Sequence, residues 1–141
     1  MALILDSNLF IAAERSRETG RLSELLSQIP SEYQNSDALI SVITASELLM
    51  GVRRAVDDKI RQRRQAYVDA ILDQFSVISI DLRVAREHSR LVAELLAKGE
   101  PIGTHDSWIA ATTIAYGHAL VTANAREFRR VEGLNVIELR L

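Results

Sequence analysis

The chain has 141 residues, 48% apolar and 26% charged, enough for one domain of ordinary size with a buried core. A formal net charge of −2 excludes a protein that grips nucleic acid through bulk positive charge, so such contacts must come from a local patch or a bound metal. The lack of cysteine excludes disulfides, thiolate catalysis and Cys-ligated zinc.

Ala2–Leu5 is a short apolar run suited to a strand buried on both faces. It begins at once, with no basic start or long apolar stretch of a signal peptide, and no later run is long enough to span a bilayer. These features fit a cytoplasmic protein. Asn8–Ala13 and Thr19–Gln28 read as helices joined near Gly20, and the turn-rich Ser31–Asp37 leads into a second strand, Ala38–Ser41. Val42–Ala55 has helical spacing, and a long helix near Asp57–Gln74 carries a stripe of Ile60, Tyr67, Val68, Ile71 and Leu72. Ser76–Ile80 is a third, β-branched strand. Leu82–Lys98 shows the clearest helical periodicity, with Gly99 as its stop. After a loop to Thr104, a small-residue helix runs over Asp106–Tyr116 and closes at Gly117. Strands Ala119–Thr122 and Leu134–Glu138 complete the chain.

Strands alternating with helices predict an α/β protein with a mostly parallel central sheet covered on both faces, a three-layer α/β/α sandwich. Ligand sites of such sheets lie beyond the carboxyl ends of the strands. Asp6 directly follows the first strand, so its side chain is expected at that edge, with Ser7 and Asn8 opening a helix beside it. An N-cap accounts for the same residue types equally well. Glu47 stands between Ile43 and Met50 on one helix face, interrupting apolar surface, and a half-buried carboxylate needs a partner. Asp106 lies in the first turn of its helix, where the dipole favours a carboxylate. Converging acids repel by about 4 kcal/mol per pair at ~4 Å and an effective dielectric near ~20. A hard divalent cation removes that cost, and an oxygen-only donor set suits Mg²⁺ or Mn²⁺.

Ile4-Leu5-Asp6-Ser7-Asn8, Ile40–Gly51 around Glu47, Ile102–Ala111 around Asp106, and Leu120-Val121-Thr122-Ala123-Asn124 with Glu127-Phe128 together resemble the PIN-domain nucleases. The resemblance runs nearly end to end and is greatest to the VapC-type toxins of prokaryotic toxin–antitoxin pairs. It implies one PIN-like nuclease domain over residues 1–141, usually dimeric, with Mg²⁺- or Mn²⁺-dependent endoribonuclease activity and a VapB-like antitoxin as partner. Asp6, Glu47 and Asp106 match the three core acids of the family, and Ser7 stands where Thr is more frequent. At the fourth position some relatives have Asp where this chain has Asn124; Glu127 offers an acid one turn on. This departure leaves the number of metal ions open, one or two.

The resemblance also implies a mechanism. Asp6 and Asp106 would anchor the metal, Glu47 would ligate it or orient the attacking water, and in-line hydrolysis of RNA would leave a 5′-phosphate and a 3′-hydroxyl. His105 adjoins Asp106, but this chemistry does not require it. His88 sits on an apolar stripe and reads as a core or interface histidine, His118 as surface, and Trp108 as packing; the three histidines lack zinc-site spacing. Arginines 53, 54, 61, 63 and 64 with Lys59, and Arg126, Arg129 and Arg130, could track an RNA backbone or form a solvated helix face. Two other doubly wound classes place Asp after the first strand. Haloacid-dehalogenase-like enzymes want an acid where Asn8 stands, and receiver domains want an acidic pair where Ile4 and Leu5 stand. A catalytically silent partner-binding module and an RNA-processing nuclease without a toxin role are the remaining alternatives.

Overall fold

A computed structural model describes all 141 residues. Five strands form one sheet: β1 (Leu3–Leu5), β2 (Ala38–Ser41), β3 (Ser76–Ile78), β4 (Ala119–Thr122) and β5 (Asn135–Glu138). Their order is β3-β2-β1-β4-β5, and every neighbouring pair is parallel. Parallel neighbours need crossovers, and helices supply them. Helices α1 (Ser7–Ser16) and α2 (Arg21–Leu26) join β1 to β2, and α3 (Val42–Arg53) and α4 (Asp58–Gln74) join β2 to β3. Helices α5 (Leu82–Ala97) and α6 (Thr104–Ala115) lead to β4, and α7 (Ala125–Phe128) leads to β5.

Period-two alternation sorts the strand residues between the layers. Leu3, Leu5, Ala119 and Val121 face one core with Leu9, Phe10, Leu48, Val68, Ile71 and Phe75. Ile4 and Leu120 face the other, with Val84, Leu91, Leu95, Ile109 and Phe128. The three-layer expectation therefore holds, with α1, α3 and α4 packed on one face and α5, α6 and α7 on the other.

The helix starts explain why the sequence breaks where it does. Asp57 and Asp81 cap α4 and α5 by accepting from the Ile60 and Val84 amides, and Ser41 caps α3 by accepting from Thr44 N. Strand β3 is shorter than expected, because β2 ends at Ser41 and offers no partner beyond Ile78. Helix α6 begins at Thr104, two residues before the sequence reading placed it. Helix α7 was not expected at all; four residues carry too little periodicity to reveal a helix. No helix is long and apolar enough to cross a membrane.

From β1 the chain steps outward through β2 to β3, then returns to the other side of β1 for β4 and β5. The switch point is between the carboxyl ends of β1 and β4, where Asp6 and Thr122 stand side by side.

Candidate active site

Asp6 is the first residue past β1 and also the N-cap of α1. Its Oδ1 accepts from Ser7 N at 2.8 Å, so the capping and site roles expected as alternatives coexist. Its Oδ2 accepts from Thr122 Oγ1 at 2.8 Å and from Asn8 Nδ2 at 3.2 Å. Three donors leave roughly one lone-pair position of this carboxylate for a cation. The group is 4% exposed, and burial raises its pKa, opposed by the Thr122 and Ser7 hydrogen bonds. Glu47 raises it further by like charge.

Thr122 is the residue that sequence reasoning missed. Fully buried at the end of β4, its hydroxyl donates to Asp6 and accepts from Asn8 Nδ2 at 3.1 Å and from Asn124 N at 3.0 Å. That is the full capacity of a hydroxyl. Asn8 is equally committed, because its Oδ1 accepts from Ala123 N at 3.3 Å. The two residues lock Asp6 to the β4 loop. The available signal was positional: Thr122 ends its buried strand as Leu5-Asp6 ends β1.

Glu47 reaches the site from α3. Ser7 Oγ donates to its Oε2 at 3.0 Å, and His105 Nδ1 lies 3.6 Å from its Oε1. These are the partners its half-buried position demands. Its burial differs from the sequence picture, since Met50 on the same helix face is 41% exposed and only Ile43 packs inward.

Asp106 stands in the first turn of α6, where small residues let the helix lie close to the sheet: Ala110 and Ala111 are fully buried. Its carboxyl is pushed up to about 6, first by burial, then by Asp6, Glu127 and Glu47, with His105 opposing. The turn before it is anchored by Arg130 Nη1 donating to Pro101 O at 2.8 Å. Ser107 bonds to Thr104 O and to His88 Nε2, and the His88 ring stacks on Trp108 with centroids 3.6 Å apart. His88 is thus a packing histidine within the α5–α6 seam, as its stripe suggested. His118 departs from its surface assignment: it is half-buried, and its Nδ1 accepts from Ala2 N at 3.0 Å, tying the β4 entry to the N-terminus.

Of the two candidates for the fourth place, Glu127 acts on Asp106 electrostatically. Asn124 caps α7, is exposed, and makes no side-chain capping bond.

The donor set is all oxygen and carries mutual repulsion, the chemistry that a hard divalent ion relieves. No group of three acidic or histidine side chains lies at metal-ligand spacing.

A family model for the PIN domain matches residues 3–134. The chain belongs to the PIN-domain family. Within it, the sequence is similar to the VapC ribonucleases. It is 32% identical over 137 residues to Ribonuclease VapC1 of Rickettsia felis, covering 97% of this chain and 96% of that relative. It is 30% identical to Ribonuclease VapC of Rickettsia bellii, over 100% of this chain and 98% of the relative. A third relative, the tRNA(fMet)-specific endonuclease VapC of Salmonella typhimurium, is 33% identical across 69% of this chain and 71% of its own. Among solved structures, VapBC2 from Rickettsia felis bound to a DNA fragment from its promoter matches this PIN domain with a TM-score of 0.83 and 27% identity, covering 98% of both chains. DNA-bound VapBC from Salmonella typhimurium matches with a TM-score of 0.81 and 26% identity over the same shares.

Proposed function

We infer that this PIN domain, one nuclease unit over residues 1–141, is a metal-dependent endoribonuclease and the toxin of a toxin–antitoxin pair. The observation that carries the reading is the group of mutually repelling carboxylates at the β1/β4 switch point, in a chain of VapC type. Asp6 and Asp106 would hold Mg²⁺, or Mn²⁺ in its place, with Glu47 and Glu127 beside them. The bound ion supplies charge neutralisation at the phosphate and a more acidic water.

The residues of the chain do the rest. Thr122 and Asn8 fix the Asp6 carboxylate, so it needs no rotamer search to act. Ser7 holds one oxygen of Glu47, leaving the other to orient the attacking water. In-line attack by that water breaks the P–O3′ bond, and the products are a 5′-phosphate and a 3′-hydroxyl. Asn124 sits on the rim, where its amide can meet the RNA backbone. His105 is 58% exposed, and its Nδ1 lies 3.6 Å from Glu47 Oε1.

Relatives seen as VapBC complexes support a VapB-like antitoxin as the partner that silences the site. Exposed Val42, Leu49 and Met50 on α3 offer apolar surface for a homodimer, and the RNA substrate implies a cytoplasmic place of action.

The test is to incubate purified protein with total RNA in Mg²⁺, in Mn²⁺ and in excess chelator, and to map the ends. Discrete 5′-phosphate ends that need metal and vanish in Asp6→Asn support the reading. Cleavage that survives chelation, or full activity in a folded Asp6→Asn variant, overturns it.

A further inference from the structure

The helix that carries Asp106 starts without a side-chain cap. Helices α1, α3, α4 and α5 each begin on one, whereas Gly103 before α6 has no side chain to give. Arg130 fixes Pro101 upstream, but not the helical turn itself. That turn bears a carboxylate which Asp6, Glu127 and Glu47 all repel. A load on an uncapped turn calls for a restraint from another element.

Ser107 is the point of attachment. It follows Asp106 directly, is 4% exposed, and its hydroxyl donates to Thr104 O at 2.6 Å within the same turn. A carbonyl only accepts, so that bond uses the one proton of the hydroxyl. His88 Nε2 lies 3.0 Å from the same oxygen. Ser107 Oγ can therefore only accept there, and Nε2 carries the hydrogen. On α5, His88 lies one turn from Val84 and from Leu91, both buried, and its ring stacks on Trp108 at 3.6 Å with 7° between the planes. The ring thus presents a fixed N–H to the turn that holds Asp106. Packing accounts for the ring but not for this nitrogen, because an apolar ring would fill the seam and give Ser107 nothing. We propose that His88 is a positioning residue of the nuclease site: its Nε2–H, through Ser107 Oγ, holds the first turn of α6 and with it the Asp106 carboxylate.

This rests on the reading of Asp6 and Asp106 as the acids that hold the metal, and adds the α5–α6 seam to that site. Two variants part the ring from the nitrogen. His88→Phe keeps a flat ring for Trp108 and removes the donor, whereas His88→Gln gives up the ring and returns an N–H near the Nε2 position. Mn²⁺ binding to the RNA-free protein is titrated by electron paramagnetic resonance, and cleavage at one mapped RNA site is measured in Mg²⁺. His88→Phe should weaken Mn²⁺ binding about tenfold and lower kcat about tenfold, with KM for RNA changed less than twofold, the scale of groups that orient a metal ligand. His88→Gln should recover most of both, although without the stack it has the lower Tm. Metal binding and activity that follow Tm instead, with Phe above Gln, overturn the proposal and leave His88 to packing alone.

The wild type gives a test that needs no variant. Histidine nitrogen NMR should show the Nε2–H tautomer for His88, and the Nδ1–H tautomer overturns the proposal. Ser107→Ala should match the loss in His88→Phe, and the double variant should lose no more than either, since both act through one bond; additive losses overturn it. A wild type that binds Mn²⁺ but cuts no RNA overturns the nuclease reading, and Mn²⁺ binding in the variants still decides the part of His88. A wild type that binds no Mn²⁺ overturns both.

Discussion

At the residue scale, the site depends on neutral groups that hold charged ones. Thr122→Val keeps shape but removes the hydroxyl that serves Asp6, Asn8 and the Asn124 amide. We expect a loss of about 1–2 kcal/mol of stability, the usual cost of leaving buried polar groups unpaired, read by urea denaturation. The Asp6 carboxyl should also rise further, because the Thr122 bond is the largest influence lowering it. The acid limb of the pH–rate profile should therefore move to higher pH, which a purely structural lesion would not produce. The fourth position separates in the same manner. Glu127→Gln removes a charge that Asp106 feels and should lower kcat about 10–100-fold, in the range typical of groups supporting a metal site. Asn124→Ala should stay within about threefold, since its side chain supports no other site residue; a larger loss from Asn124 than from Glu127 would reverse their roles.

At the element scale, α6 carries Asp106 and is seated by two different attachments. Ala110 and Ala111 let it settle on the sheet, and Trp108 stacks on His88 of α5 at the solvent side of the seam. Trp108→Ala should cost about 2 kcal/mol, less than a fully buried aromatic because the residue is only partly buried. Chemical denaturation measures the stability loss, and the Mg²⁺ dependence of cleavage reports whether the α6 N-terminus has loosened. Sequence periodicity found α5 and α6 because each presents a repeating apolar face. It missed α7 for the opposite reason, and with it the element that brings the Glu127 charge within reach of Asp106.

At the scale of the whole molecule, the acid cluster sets stability against function. The Asp106 carboxyl titrates near 6 in the folded protein, against an ordinary 3.8. Below the lower value both states hold the proton, and the group contributes no pH dependence. Between the two, the folded state binds a proton that the unfolded chain has released, so stability falls as pH rises. Above 6 the penalty is complete. In metal-free protein, Tm should thus decline from pH 4 to 6.5 relative to Asp106→Asn, and saturating Mg²⁺ should reverse the decline at neutral pH, read by differential scanning fluorimetry. A variant that matches the wild type at every pH would show that Asp106 is not strained. An ion that binds only the assembled site would then contribute folding free energy.

The class of fold was legible in the sequence, and Asp6, Glu47 and Asp106 could be singled out there as candidate site acids. Apolar alternation and helical spacing follow from local geometry, and Asp6, Glu47 and Asp106 each sit at a position that periodicity locates. Tertiary structure decided which groups touch. Asp6, Asn8 and Thr122 meet because β1 and β4 are neighbours at the switch point, a pairing across more than a hundred residues that no local pattern encodes, while Glu47, Asp106 and Glu127 come near enough to act through charge. The carboxylate cluster is therefore written in the sequence as separate acids, and only the sheet order makes it one electrostatic unit.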